Sequence, residues 1–129
     1  MGLIRKSTAL VLSVLAIAGC TIPTSPALDN LREQFTAAGG ICSEWTPIDE
    51  PFAVAAATCV EGATLVVFDS TADRADFIKS ELETNGHIRA RTHIIVSKDT
   101  WLVIDTVAVI VRVMPRMGGM ISGRNAANP

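Results

Sequence analysis

The stretch from Phe52 to Phe68, FAVAAATCVEGATLVVF, consists of two apolar runs separated by a short polar turn. The runs are Phe52 to Val60 and Thr64 to Phe68, and Glu61-Gly62-Ala63 lies between them. Two apolar segments joined by a short connection that contains glycine are typical of a β-hairpin. Because a lone hairpin buries too little apolar surface to be stable, the segments on either side of it are expected to cover it.

The segment before the hairpin predicts a helix and a first strand. Ser25 is a suitable N-cap, Pro26 occupies the first helical position, and Gly39-Gly40 ends the helix. Residues 41–45 follow as a strand candidate. The apolar face of the helix is formed by Leu28, Leu31, Phe35 and Ala38, and a turn is expected through Pro47, Asp49, Glu50 and Pro51.

The segments after the hairpin predict a second helix, a second hairpin and a third helix. Ser70 or Thr71 caps the second helix, which ends at Asn85-Gly86. Residues 91–96 and 101–104 are strand-like and flank a turn at 97–100. Residues 105–114 alternate β-branched side chains as a strand does, yet a helix capped by Asp105 or Thr106 is favoured. The second helix is expected to bury a stripe of Ala75, Ile78 and Leu82.

The N-terminus has the features of an export signal. Arg5 and Lys6 precede an apolar run from Ala9 to Ala18, and small residues come just before Cys20. The sequence Ile17-Ala18-Gly19-Cys20 resembles the lipobox of bacterial lipoproteins, although that family more often has Leu in the place of Ile17. The resemblance implies that Cys20 carries lipid and becomes the first residue of the mature protein. Its acyl chains would hold the protein on the extracytoplasmic face of the cell membrane.

Three other interpretations of the N-terminus fit less well. A transmembrane helix needs about 20 apolar residues, which is more than this run provides. N-myristoylation at Gly2 prefers Ser or Thr where this chain has Lys6. An ordinary signal peptide cut after Ala18 would leave three thiols in the exported chain. With Cys20 lipidated, Cys42 and Cys59 remain as an even pair, so we predict a disulfide between them that joins the first strand to the hairpin.

These features predict one α+β domain: a small antiparallel sheet with two or three helices packed on one face and one disulfide. About 110 residues remain after the signal peptide, which is enough for one domain and too few for two. The predicted boundaries are a signal peptide at 1–19, a lipidated cysteine and tether at 20–26, the domain at 27–115 and a flexible tail at 116–129.

The composition argues against nucleic acid as a partner. The 11 Lys and Arg fall to nine when Arg5 and Lys6 leave with the signal peptide, against 13 Asp and Glu, so the mature charge is −4. An acidic domain is a poor match for phosphate backbones. The expected partners are the membrane, through the lipid on Cys20, and an envelope protein.

Four residues at every second position form a candidate partner-binding stripe. On a strand, such spacing would place them on one face. The alternative is an edge strand that uses charge against aggregation. The four residues are His87, Arg89, Arg91 and His93.

Other candidate ligand sets fit structural roles better. Three aspartates lack the glycine and the closing glutamate of a calcium loop and fit the start of a helix. Three methionines near Pro115 fit core filling or tail contact better than a Cu(I) site. Two tryptophans fit packing at the edge of the core better than a ligand platform. These residues are Asp69, Asp73 and Asp76; Met114, Met117 and Met120; and Trp45 and Trp101.

We therefore expect a membrane-anchored lipoprotein with a non-catalytic binding role, no cofactor and no metal. No set of acid, base and nucleophile can be assembled from its motifs. The alternatives are a superinfection-exclusion lipoprotein of the prophage type, or a metal-handling or hydrolytic accessory protein of the envelope. The layout from Cys42 to Trp101 also resembles small secreted lipoproteins of actinobacteria. That resemblance implies a cysteine-bridged strand pair and no particular activity.

Overall fold

The computed structural model describes residues 25–123, which are organised around a six-stranded antiparallel sheet. Its strands lie in the order β1-β2-β3-β5-β4-β6, and every neighbouring pair is antiparallel. The predicted α+β fold with an antiparallel sheet is confirmed. In chain order the elements are α1 (Pro26–Ala37), β1 (Trp45–Ile48), β2 (Ala55–Cys59), β3 (Thr64–Val67), α2 (Thr71–Thr84), α3 (Gly86–Arg89), β4 (His93–Lys98), β5 (Trp101–Thr106), α4 (Val107–Met117) and β6 (Met120–Ser122).

The central strands β3, β4 and β5 are buried on both faces of the sheet. In β3, Leu65 and Val67 pack with α1 and α4, whereas Val66 packs on the opposite side. Two helices therefore share one face, whereas the prediction had placed all the helices on a single face. The other face is covered by α2 and α3 through Phe77 and Ile88. Burial on both faces explains why these strands are continuous apolar runs.

Side chains cap the three longer helices of the described part. The Ser25 hydroxyl accepts a hydrogen bond from the Leu28 amide at 3.3 Å, and the Ser70 hydroxyl accepts one from Asp73 at 3.1 Å. Thr106 caps α4 in the same way. The predicted caps at Ser25 and Ser70 are confirmed, and each satisfies a backbone donor that the helix itself leaves unpaired.

The segment rich in β-branched residues forms helix α4 and not a strand. Ile110, Val113 and Met117 are buried against the sheet, while Val111 is exposed. Burial of one helical face outweighs the modest strand preference of valine, so the prediction of a helix is confirmed.

The first strand begins later than predicted. Residues 41–44 form a loop, and β1 starts at Trp45 and includes Pro47, which was expected in a turn. Proline cannot donate a ladder hydrogen bond, but β1 is an edge strand and needs donors on one side only.

The buried face of α2 also differs from the prediction. Phe77 is buried and Ile78 is half-buried, whereas Ala75 and Leu82 are exposed. The Phe77 ring meets Phe68 edge-on, with ring centroids 5.4 Å apart. One large aromatic contact, which helical periodicity did not single out, therefore sets the orientation of α2.

Residues 116–123 are ordered, which corrects the predicted flexible tail. Helix α4 continues to Met117, and β6 pairs with β4. Gly119 has φ +107°, and a Cβ there would lie 2.7 Å from the Ser97 carbonyl oxygen. The glycine thus permits a close approach of two chain segments, in a region that the sequence pattern had predicted to be flexible. Residues 124–129 lie outside the described part.

Cys42 and Cys59 form the predicted disulfide, with an S–S distance of 2.09 Å. The bridge joins the loop after α1 to the last residue of β2, and not two strands as expected. It fixes the β1–β2 end of the sheet to α1 through a short loop.

Replacing both bridge residues, Cys42→Ala together with Cys59→Ala, should lower the free energy of unfolding by about 3 kcal/mol. The bridge spans a sequence separation of 17 residues, and its loss frees that loop in the unfolded chain. Urea denaturation of the full chain measures the change. Reductant should reproduce the loss in the parent and leave the double variant unaffected. An unchanged parent midpoint after complete reduction would contradict the prediction.

Candidate functional site

The sheet is wider than α1 and α4, the two helices that cover one of its faces. Helix α1 packs mainly on β3, and α4 packs on β4 and β5. Strands β1 and β2 extend beyond α1, and β2 presents Ala55 and Ala57 on this face. Because these side chains are small and α1 contacts chiefly β3, this end of the sheet is recessed.

A groove of about 400 Å³ occupies the recess, between the start of α1 and the edge strand β1. Ligand pockets in proteins have volumes of about 300–1,000 Å³ and are mostly apolar, as this groove is. The alanines form part of its lining, together with Leu28 and Trp45. The full lining is Ser25, Leu28, Asp29, Trp45, Pro47, Ile48, Asp49, Val54, Ala55, Ala56 and Ala57.

Arg32 of α1 supports Trp45, one of the groove residues. Its guanidinium donates hydrogen bonds to the Cys42 carbonyl at 2.8 and 3.1 Å and to the Ser43 carbonyl at 2.9 Å. The same group lies 4.8 Å from the centroid of the Trp45 ring. The charge-assisted hydrogen bonds of Arg32 and its cation–π contact thus connect α1, the disulfide loop and β1.

A second polar contact holds the disulfide loop against the hairpin turn. The Ser43 hydroxyl and backbone amide both donate to the Glu61 carboxylate. These bonds, chiefly that from the hydroxyl, lower the pKa of Glu61 below its usual value. The loop that carries Cys42 is therefore held by α1 on one side and by the hairpin turn on the other.

Negative charge gathers at the groove. Among residues 25–123 the lining includes Asp29 and Asp49 and no Lys, Arg or His, while the Arg32 guanidinium lies against its Trp45. The neighbouring Glu50 has a raised pKa, first because it is partly buried and then because Glu81 and Asp49 are close. A cation bound in the groove would be attracted by the Asp29 and Asp49 carboxylates. The groove therefore suits an apolar ligand that carries positive charge.

The shape and charge of the groove suit binding, and its described lining has few groups that could react. Its lining includes two carboxylates and the Ser25 hydroxyl, and that hydroxyl accepts the capping bond from the Leu28 amide. A nucleophilic site needs a base within hydrogen-bond reach of the nucleophile, and the lining residues within the described range include no histidine, cysteine or lysine.

The predicted strand through the basic stripe does not form. Residues 86–89 form α3, and the Asn85 side chain caps it by accepting from the amides of His87 and Ile88. Arg91 follows in a left-handed conformation with φ 67°, and β4 begins only at His93. The prediction that His87, Arg89, Arg91 and His93 line one strand face is therefore wrong, because the Asn85 cap and the burial of Ile88 favour a helical turn.

The structure instead brings the two histidines together. The chain turns between α3 and β4, so the rings of His87 and His93 have centroids 4.8 Å apart. Arg89 points elsewhere and donates to the Glu83 carbonyl at 3.1 Å.

The remaining candidates take structural positions. Met117 is buried and Met114 is half-buried against the core, while Met120 is 71% exposed. Trp45 and Trp101 are half-buried against the same core. Within residues 25–123, no three His, Cys, Asp or Glu side chains come close enough together to hold a metal ion.

Cys20 and the predicted signal peptide lie outside the described residues, so lipidation stays a prediction. None of the helices within residues 25–123 is both long and apolar enough to cross a membrane.

Comparison of the chain with protein-family models, with curated proteins and with solved structures finds no match.

Replacing Arg32 by Met should lower the free energy of unfolding by about 1–3 kcal/mol, because two loop carbonyls lose their donor. Trp45 should also become more mobile, which fluorescence in a Trp101→Phe background would detect. Arg116→Met is the matched control, since it removes one exposed bond to the Ala37 carbonyl. We expect the control to change stability by no more than about 0.5 kcal/mol. Equal effects of the two substitutions would show that Arg32 has no special role.

Proposed function

We propose that this chain is a lipid-anchored, non-catalytic binding protein on the extracytoplasmic face of the cell membrane. We further propose that its groove binds an apolar segment of an envelope protein that carries Lys or Arg. The observation that carries the proposal is the groove itself: an alanine-lined recess beside an edge strand, with Asp29 and Asp49 in its lining.

The position of the groove relative to Cys20 supports a partner at the membrane. Ser25 belongs to the groove lining and is five residues beyond Cys20. An extended chain spans at most about 3.6 Å per residue, so the groove lies within about 18 Å of the anchoring residue. A lipid on Cys20 would therefore hold the groove close to the membrane surface, within reach of the exposed segments of membrane proteins.

The chemistry of the surface supports a peptide segment. Val54, in the groove lining, is 54% exposed, and the nearby Phe52 is 40% exposed. Interfaces combine apolar contact at the centre with polar groups around it, and complementary charge increases the rate and specificity of association. Asp29 and Asp49 would pair with cationic side chains on either side of an apolar residue, and the mature charge of −4 favours the same partner.

Site-specific photo-crosslinking in intact cells tests the proposal. A photoreactive residue replaces Val54, which lines the groove, or Val60, which is 69% exposed and is not part of the lining. The chain is otherwise complete and lipidated. We expect Val54 to capture one envelope protein through an apolar segment with Lys or Arg, and Val60 to capture none of it.

Charge reversal provides the second arm of the experiment. Asp49→Lys should abolish crosslinking at position 54, because it places a cation where the partner needs an anion. Asp76→Lys, on the exposed side of α2, is the matched control and should leave crosslinking intact. Cys20→Ala should abolish both the lipid mass and the capture. Capture that persists in the Asp49→Lys variant, or capture through a segment without Lys or Arg, would overturn the proposed partner chemistry.

A further inference from the structure

His87 and His93 form a pair that the groove does not use. His87 is exposed at the start of α3, and His93 is half-buried at the start of β4. Thr92 joins the two elements, because its backbone amide and its hydroxyl both donate to the His87 carbonyl, at 2.9 and 3.0 Å. The imidazole rings therefore lie side by side, with centroids 4.8 Å apart, although six residues separate them in the chain.

The hydrogen bonds of Thr92 set the tautomer of His93. The Thr92 hydroxyl lies 3.1 Å from Nδ1 of His93, and its single proton is donated to the His87 carbonyl. Toward His93 the hydroxyl oxygen therefore accepts, so Nδ1 carries the proton. Neutral His93 then has its lone pair on Nε2. This arrangement is the one that metal-binding histidines use, with one ring nitrogen held by a hydrogen bond and the other free to coordinate.

The second ring is also available to a ligand. Within residues 25–123, neither ring nitrogen of His87 makes a hydrogen bond. Two nitrogens that share one zinc ion lie about 3.3 Å apart, since each Zn–N bond is about 2.0–2.1 Å long. Rings with centroids 4.8 Å apart reach this separation when one nitrogen of each turns toward the other.

From this geometry we infer that His87 and His93 chelate one divalent transition-metal ion of the Zn²⁺ and Cu²⁺ class. Imidazole nitrogen suits these ions, whereas Mg²⁺ and Ca²⁺ prefer oxygen. The two histidines supply two positions, and solvent fills the rest. Thr92 acts as a positioning residue for His93. The inference is independent of the proposed groove function, because the two sites use different residues.

The charges around the pair are compatible with a bound cation. The Arg89 guanidinium donates a hydrogen bond to the Glu83 carbonyl. Asp105 is a carboxylate near His93; burial raises its pKa, and the backbone amide of Thr106 and the charges of His93 and Arg112 oppose that shift. Arg91 lies two residues before His93, in the turn between α3 and β4, where its backbone is left-handed.

Titration calorimetry of the full chain, in detergent and without a purification tag, tests the inference with Zn²⁺, Cu²⁺ and Mg²⁺ as separate probes. We expect one Zn²⁺ per chain, tighter binding of Cu²⁺ and no binding of Mg²⁺. His87→Ala, at an exposed position, should weaken Zn²⁺ binding at least tenfold, and His93→Gln should do the same. Arg89→Ala is the matched control on α3 and should bind as the parent does.

A positioning role for Thr92 predicts a further effect. Thr92→Val should weaken Zn²⁺ binding about tenfold, as loss of a hydrogen bond to a metal-binding histidine typically does. Nitrogen-15 NMR of the parent should show coordination at Nε2 of His93. Zn²⁺ binding that is unchanged in both histidine variants, or ring resonances that Zn²⁺ does not shift, would overturn the inference and assign any bound metal to another part of the chain.

Discussion

The structure depends on burial of the central strands on both faces of the sheet. Leu65, Val66 and Val67 in β3 are all buried, as are Leu102, Val103 and Ile104 in β5. A strand with apolar side chains on both faces needs cover on both sides. Helices α1 and α4 cover one face and α2 and α3 the other, so four helices are used over the centre of a six-stranded sheet. Helix α1 contacts chiefly β3, so the edge strand β1 and the neighbouring part of β2 receive less cover on that face, and the groove lies there.

The uncovered end of the sheet is held by covalent and polar contacts instead of helix packing. Three contacts lie at this end: the Cys42–Cys59 bridge, the hydrogen bonds of Arg32 and the Ser43–Glu61 contact. A groove with a fixed wall loses little conformational entropy when a ligand binds, and such preorganisation improves affinity. The contacts that stabilise this end, where helix packing is reduced, therefore also make it suitable for binding a partner.

Much of the fold followed from local patterns whose physical causes are short-range. The hairpin at 52–68, the caps at Ser25 and Ser70 and the bridge between Cys42 and Cys59 were all predicted. The incorrect predictions concern positions whose structure depends on contacts between residues far apart in the sequence. Pro47 is tolerated in β1 only because that strand is at the edge, and β6 forms because Gly119 can approach Ser97. The groove was missed because the alanines in β2 were interpreted only as strand residues. A run of small side chains in a strand is the one local feature that could have indicated a recess.

The proposed function requires a partner at the membrane to occupy the groove. Hydroxyl-radical footprinting of the full chain in intact cells, compared with the purified full chain in detergent, measures this occupancy directly. Trp45 and Val54 are expected to be protected in cells, while Val60 and Met120 are expected to be labelled equally in both states. Equal labelling of Trp45 and Val54 in both states would contradict it.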